Sequence, residues 1–193
     1  RSEIVLNPLS WYEDNGITLH KGFKVVDVDR VRREVHAVGP DGKRITAAYD
    51  RLLMCTGSNP FMLPVPGKDL PGVIAYRDIA DTNAMIEAAA QHKHAVVIGG
   101  GLLGLEAANG LMLRGMQVTV VHVMPWLMER QLDEAAGWLL KSELERRGQT
   151  IPTGADTAEI VGNGKVEAVR LKDGTEIKAD DAANASLKLL ATP

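Results

Sequence analysis

A single cysteine, Cys55, stands in the 193 residues. That excludes an intrachain disulfide, a Cys-rich zinc site and an iron–sulfur cluster held by this chain alone. No excess of one charge is present either: 22 Lys and Arg face 25 Asp and Glu, a net charge of −3. The sequence therefore carries no basic footprint for nucleic acid or an anionic membrane surface. Long apolar runs are missing too. Stretches such as Leu52 to Cys55 and Ala95 to Ile98 are far too short to span a bilayer. Arg1-Ser2-Glu3 leads into a short Ile-Val-Leu run and then Asn-Pro, which is not a signal-peptide pattern. The expected compartment is the cytoplasm.

What is present reads as a soluble globule with one large or two small domains. Residues 8–16 suit a short helix opening at Pro8 and closing at Gly16. Residues 17–20 alternate as a short strand would. A β-meander follows over residues 25–28, 34–38 and 44–48, with Pro40-Asp41-Gly42-Lys43 as its second turn. The apolar run Leu52 to Cys55 suits a strand buried on both faces. Residues 57–72 hold four prolines and three glycines and read as an ordered loop or domain crossover.

Helix-prone residues 78–91 precede a strand at residues 95–98, a helix at 102–114 closed by Gly115, a strand at 117–123 and a helix at 133–147 closed by Gly148. This is the parallel strand–helix–strand unit. A second meander spans residues 157–161, 166–171 and 175–178. The two meanders rhyme: Asp41-Gly42-Lys43-Arg44-Ile45 matches Asp173-Gly174-Thr175-Glu176-Ile177. The repeat calls for a buried strand after the second meander, as after the first, but Asp181-Ala182-Ala183-Asn184-Ala185-Ser186 is a poor strand sequence.

The strongest chemical signal is Gly99-Gly100-Gly101-Leu102-Leu103-Gly104-Leu105-Glu106. Gly99 allows the tight turn out of a strand, Gly101 lets backbone approach a pyrophosphate, and Gly104 lets the helix pack closely on the strand. Backbone N–H groups and the positive end of the helix dipole would hold the phosphates. An isolated glycine pattern carries little weight. Here a strand precedes it, a helix follows and a second strand stands at the right distance.

Other residues leave two readings open. Glu106 is either a helix-N-terminal acid favoured by the dipole or a contact to the nicotinamide end. His122 ends the second strand, where an NAD site has Asp or Glu on the ribose and an NADP site a nearby Arg. It is either a ribose contact whose charge changes near neutral pH or a half-buried structural histidine. Arg130 lies further along the following loop and is a candidate for the adenosine end, its direction left open by the sequence. Cys55 reads as structural rather than reactive. His92 and His94 lack the companions a zinc site needs. No general acid, base or nucleophile stands out, so no catalytic side chain is assigned.

Together these residues resemble the pyridine-nucleotide–disulfide-oxidoreductase superfamily of flavoproteins. Thr56-Gly57-Ser58-Asn59-Pro60 resembles its second flavin-side motif, and Gly99 to Glu106 its nicotinamide motif. More narrowly, Leu6 to Tyr12, Leu53 to Ser58, Gly99 to Ala108 and Val118 through Met124-Pro125 to Asp133 resemble the large subunits of NAD(P)H-dependent nitrite reductases. The resemblance runs from residue 4 to about 180. It implies a fragment of a flavin-dependent oxidoreductase in which NAD(P)H reduces FAD. Electrons would then pass through an iron–sulfur cluster to a sirohaem that reduces nitrite, both lying outside this chain.

The fold it implies is α/β: a Rossmann-like nicotinamide-binding domain with a parallel sheet and a β-meander, plus part of a flavin-binding domain. The expected divisions are a partial FAD-binding domain at 1–72, an NAD(P)H-binding domain at 73–180 and an atypical tail at 181–193. The implied cofactor contacts are Thr56, Gly57 and Ser58 on the flavin side. On the nicotinamide side they are Gly99, Gly100, Gly101, Leu102, Leu103, Gly104, Glu106 and His122. The first flavin phosphate loop is expected upstream of Arg1, so this chain should hold little FAD by itself. Its expected partners are NAD(P)H, the remaining parts of the parent enzyme and, through an incomplete sheet, a second copy of itself. A non-catalytic dinucleotide-binding module or redox sensor, and a rubredoxin- or ferredoxin-reductase-like flavoprotein, are the alternatives.

Overall fold

The computed structural model describes residues 5–178 and, for the backbone alone, residues 185–188. The chain divides into two compact units between Thr56 and Gly57. No helix among the described residues is long and apolar enough to cross a membrane.

In the first unit, α1 (Leu9–Asp14) follows Pro8, and an antiparallel meander follows in the order β1 (Lys24–Asp29), β2 (Glu34–Val38), β3 (Arg44–Ala48). Turn chemistry sets its register. Asp29 Oδ1 accepts the Val31 and Arg32 N–H groups at 2.9 and 2.8 Å, and Arg33 takes φ 58°. Asp41 Oδ1 accepts the Lys43 N–H at 3.0 Å, and Gly42 takes φ 77°.

Two expected strands of this unit are absent. Residues 17–20 form no strand. Leu52 to Cys55 form none either and are exposed, Leu53 at 84%. A strand buried on both faces needs hydrogen-bonding neighbours on both edges. No described strand pairs with this run.

The second unit holds β4 (Val73–Ala75), α2 (Ile79–Gln91), β5 (His94–Ile98), α3 (Leu102–Met112), β6 (Gln117–Val121), α4 (Glu134–Arg146), β7 (Thr157–Val161), β8 (Ala168–Leu171), β9 (Glu176–Lys178) and β10 (Ala185–Lys188). Its parallel sheet runs β4-β10-β5-β6, and β7-β8-β9 form an antiparallel meander.

Alternation along β5 explains the layering. Ala95 and Val97 face a core with Leu105, Ala108 and Leu111 of α3, Met85 of α2 and Ile151. Val96 and Ile98 face the opposite core, with Ile160, Val166, Val169 and Leu171 of the second meander region. The architecture is thus the expected α/β arrangement of helices, parallel sheet and meander.

Two features differ from the expectation. Leu63, Val65 and Leu70 of the proline-rich loop pack on the meander-side core, and Pro66 C=O accepts the Ile160 N–H at 2.9 Å. That loop therefore belongs with the second unit rather than with residues 1–56. The backbone of residues 185–188 also takes the strand position the repeat called for, between β4 and β5. A slot with a partner on each edge outweighs the weak strand preference of Ala185 and Ser186.

Candidate functional site

The glycine loop joins β5 to α3, and each glycine meets a different demand. Gly99 has φ 119°, which carries the chain sharply out of the strand, and its N–H donates to Val121 C=O at 2.8 Å. A Cβ on Gly104 would lie 1.9 Å from Gly99 C=O, so α3 can close on the loop only with glycine there. A Cβ on Gly101 would meet nothing within 4 Å. That side of the backbone is open space, as the approach of a pyrophosphate requires.

Gly101 is also the N-cap of α3, and no side chain caps this helix end. The other two long helices are closed: Asp78 accepts the Asp81 N–H of α2, and Asp133 accepts the Ala136 N–H of α4. The first N–H groups of α3 therefore remain available to an anion.

A cleft of about 370 Å³ opens at this point, at the carboxyl ends of β5 and β6. Gly99, Gly100, Gly101, Leu102, Leu103 and Gly104 line it together with His122, Glu129 and Arg130. Asp156 and Thr157 also line it. Most of its surface is apolar carbon with a few polar groups, the usual make-up of a nucleotide or small-molecule site.

His122 is 4% exposed, and the structure gives it a role other than an open ribose contact. Its Nδ1 accepts the Gly100 N–H at 3.0 Å, so the ring proton sits on Nε2. Nε2–H then points at Trp126 C=O at 3.0 Å and Glu129 Oε2 at 3.2 Å. Both ring nitrogens are thus spent inside the protein. The ring borders the cleft and braces the phosphate loop.

Gly100 answers to the same packing: a Cβ there would lie 2.5 Å from Leu127 Cδ2 and 2.8 Å from His122 Cγ. Gly100 C=O accepts the Met128 N–H at 3.1 Å, and Met128 itself has φ 53°. The 122–133 loop is therefore stitched to the glycine loop from below. Sequence reasoning missed Glu129, Asp156 and Thr157. They come from loops whose course depends on tertiary contacts, and no spacing rule points to them.

Glu106 lies on an exposed face of α3 and does not line the cleft. Thr56, Gly57 and Ser58 are exposed, and Ser58 C=O accepts from Arg77 Nε at 3.2 Å. The residues of the glycine loop fit a dinucleotide.

The chain is 52% identical over 178 residues to a Bacillus subtilis (strain 168) nitrite reductase (NAD(P)H), covering 92% of this chain and 22% of that protein. It is 44% identical over 178 residues to an assimilatory nitrate reductase electron transfer subunit of the same organism, covering 92% of this chain and 23% of that protein. The chain thus spans less than a quarter of the length of these curated relatives. Among solved structures, the ferredoxin reductase for the CYP199A2 system from Rhodopseudomonas palustris superposes with a TM-score of 0.87 at 27% identity. That match covers 98% of this chain and 45% of that one. Residues 3–183 match the pyridine nucleotide-disulphide oxidoreductase family. With a glycine loop, an uncapped α3 and a cleft at the strand ends, the chain belongs to the pyridine nucleotide-disulphide oxidoreductase family.

Proposed function

We propose that this chain supplies the nicotinamide-nucleotide site of a flavin-dependent reductase that draws electrons from NAD(P)H for nitrite reduction. The observation that carries the reading is the open backbone face at Gly101 beside the uncapped start of α3. Gly99, Gly100, Gly101, Leu102, Leu103 and Gly104 would cradle the pyrophosphate through backbone N–H groups. The apolar wall of the cleft would cover the adenosine half.

When bound in the whole protein, flavin supplies the hydride-accepting chemistry, and this chain contributes binding and orientation. No side chain here is assigned a proton-transfer role. The kinship with a nitrate reductase electron transfer subunit supports a protein that delivers electrons to further redox centres rather than a sensor. Those centres, an iron–sulfur cluster and sirohaem in the proposed parent, would draw their ligands from outside this chain.

The test is a titration of NADH, followed by saturation-transfer NMR, on the wild type and Gly101→Val. Because nothing stands within 4 Å of the Gly101 Cβ position, the variant should fold. It should weaken NADH binding by at least about a hundredfold, since a side chain replaces the backbone surface that must touch phosphate. Equal binding by both proteins would overturn the assignment.

A further inference from the structure

We infer that Glu129, rather than the strand-end residue His122, is the carboxylate that reads the adenosine ribose, and that His122 is its positioning residue. The inference rests on the dinucleotide reading above. In a dinucleotide fold the discriminating acid ends the second strand of the unit, where β6 here delivers a buried histidine with both nitrogens engaged. The position still needs a group that accepts from a ribose hydroxyl, and the structure brings one back to it.

Leu127 is fully buried beneath Gly100, and Met128 N–H is bonded to Gly100 C=O. Met128 adopts φ 53°, an uncommon conformation for a residue with a side chain. The next residue, Glu129, thereby places Oε2 3.2 Å from His122 Nε2 at the strand end. Its side chain keeps 23% exposure and lines the cleft.

The neutral ring donates to one oxygen of Glu129 and fixes the carboxylate without neutralising its charge. The cleft's other acid, Asp156, is already paired with Lys172 at 2.5 Å. Glu129 is therefore the carboxylate of this cleft that no Lys or Arg neutralises among the described residues. Such a group accepts a hydrogen bond from a 2′-hydroxyl and repels a 2′-phosphate. Arg130, next in sequence and also lining the cleft, would limit the repulsion.

The experiment measures dissociation constants for NADH, NADPH and NADH lacking the adenosine 2′-hydroxyl, with wild type, Glu129→Ala, His122→Asn and Gly101→Val. The wild type should bind NADH about tenfold more tightly than its 2′-deoxy form, the value of one hydrogen bond to a charged group. Glu129→Ala should remove that difference, weaken NADH by about tenfold and leave NADPH unchanged or tighter. His122→Asn keeps an acceptor near the Gly100 N–H but loses the donor to Glu129. It should shift the NADH/NADPH ratio in the same direction by about threefold, with NADPH affinity retained.

A merely structural role would weaken all three ligands alike and leave the 2′-deoxy difference intact. That result, or an unchanged NADH/NADPH ratio in Glu129→Ala, overturns the inference while the dinucleotide site stands. Failure of the wild type to bind any of the three, or equal binding by Gly101→Val, overturns the underlying reading as well.

Discussion

The two meanders of this chain are built on the same turn and end in opposite environments. In β2–β3, Asp41 Oδ1 accepts the Lys43 N–H and Gly42 takes φ 77°. In β8–β9, Asp173 Oδ1 accepts the Thr175 N–H at 2.8 Å and Gly174 takes φ 89°. Yet Ala37 and Gly39 are the only described residues of the first unit that are buried. Around the second meander, Ile160, Val166, Ala168, Val169 and Leu171 are all buried. The difference lies in what faces them: Val96, Ile98 and Val121 of the parallel sheet cover the second meander. Local turn chemistry makes a meander, and a second apolar layer makes it part of a core.

The largest test of this comparison uses one valine from each meander. Val169 is fully buried and Val26 is 57% exposed. Val169→Ala removes two methyl groups from a packed interface and should cost about 2 kcal/mol. For a chain of this size that lowers the thermal midpoint by roughly 4–8 °C. Val26→Ala should change stability by less than about 0.5 kcal/mol. Thermal melts followed by circular dichroism decide it. Equal losses at both positions would mean that the first meander has a cover the described residues do not reveal.

That contrast marks where the sequence was legible. The glycine loop, the strand–helix–strand unit and both meanders could be read because each is specified by neighbours within a few positions. The period of β5, the Asp-Gly turns and the Gly99/Gly104 spacing are local signals. Leu52 to Cys55 were read as a buried strand because their composition suits one. Composition cannot supply the pairing strands, and the run lies exposed. The reverse holds for residues 185–188, where the slot between two strands overrides a weak local preference. His122 shows the same limit within the site. Its position at the end of β6 was readable, but its bonds to Gly100 and Glu129 depend on a loop held by Leu127 and Met128.

A smaller effect is expected from the exposed apolar residues of the first unit. Leu53 at 84% and Met54 at 62% exposure stand in a row with Leu52 at 40%. We propose that this run drives self-association, as exposed apolar β-formers do. Leu53→Lys with Met54→Lys should leave the melting midpoint within about 2 °C, since neither side chain is packed. The same pair should lower the apparent mass by light scattering at high concentration. A monodisperse monomer in the wild type would remove the basis for the proposal.

The smallest effect asks whether a turn carboxylate from each meander is held by the same forces. Asp173 is held below the usual carboxylate range, first by the Thr175 backbone N–H. Asp29, in the β1–β2 turn, is also lowered, first by the Arg32 N–H and then, against the cost of desolvation, by the Val31 N–H. Glu143 on α4 reaches a similar end by another route. Side-chain hydrogen bonds from Arg146 and then Arg147 lower its carboxyl to about 2. In all three the folded value lies below the unfolded one, so each stabilises the fold above its unfolded value. For Glu143 that contribution is lost as the pH falls from about 4.5 towards 2. Backbone dipoles fixed in a turn are barely screened, whereas exposed guanidinium partners are. Carboxyl-carbon NMR titrations in low and high salt should therefore separate the groups. The Glu143 midpoint should move up in salt and rise further in Arg146→Ala. Asp29 and Asp173 should hold their low midpoints in both conditions, although one meander is covered and the other is not. A salt-dependent Asp29 beside a salt-independent Asp173 would show that the Arg32 and His36 charges hold Asp29 as much as its turn amides do.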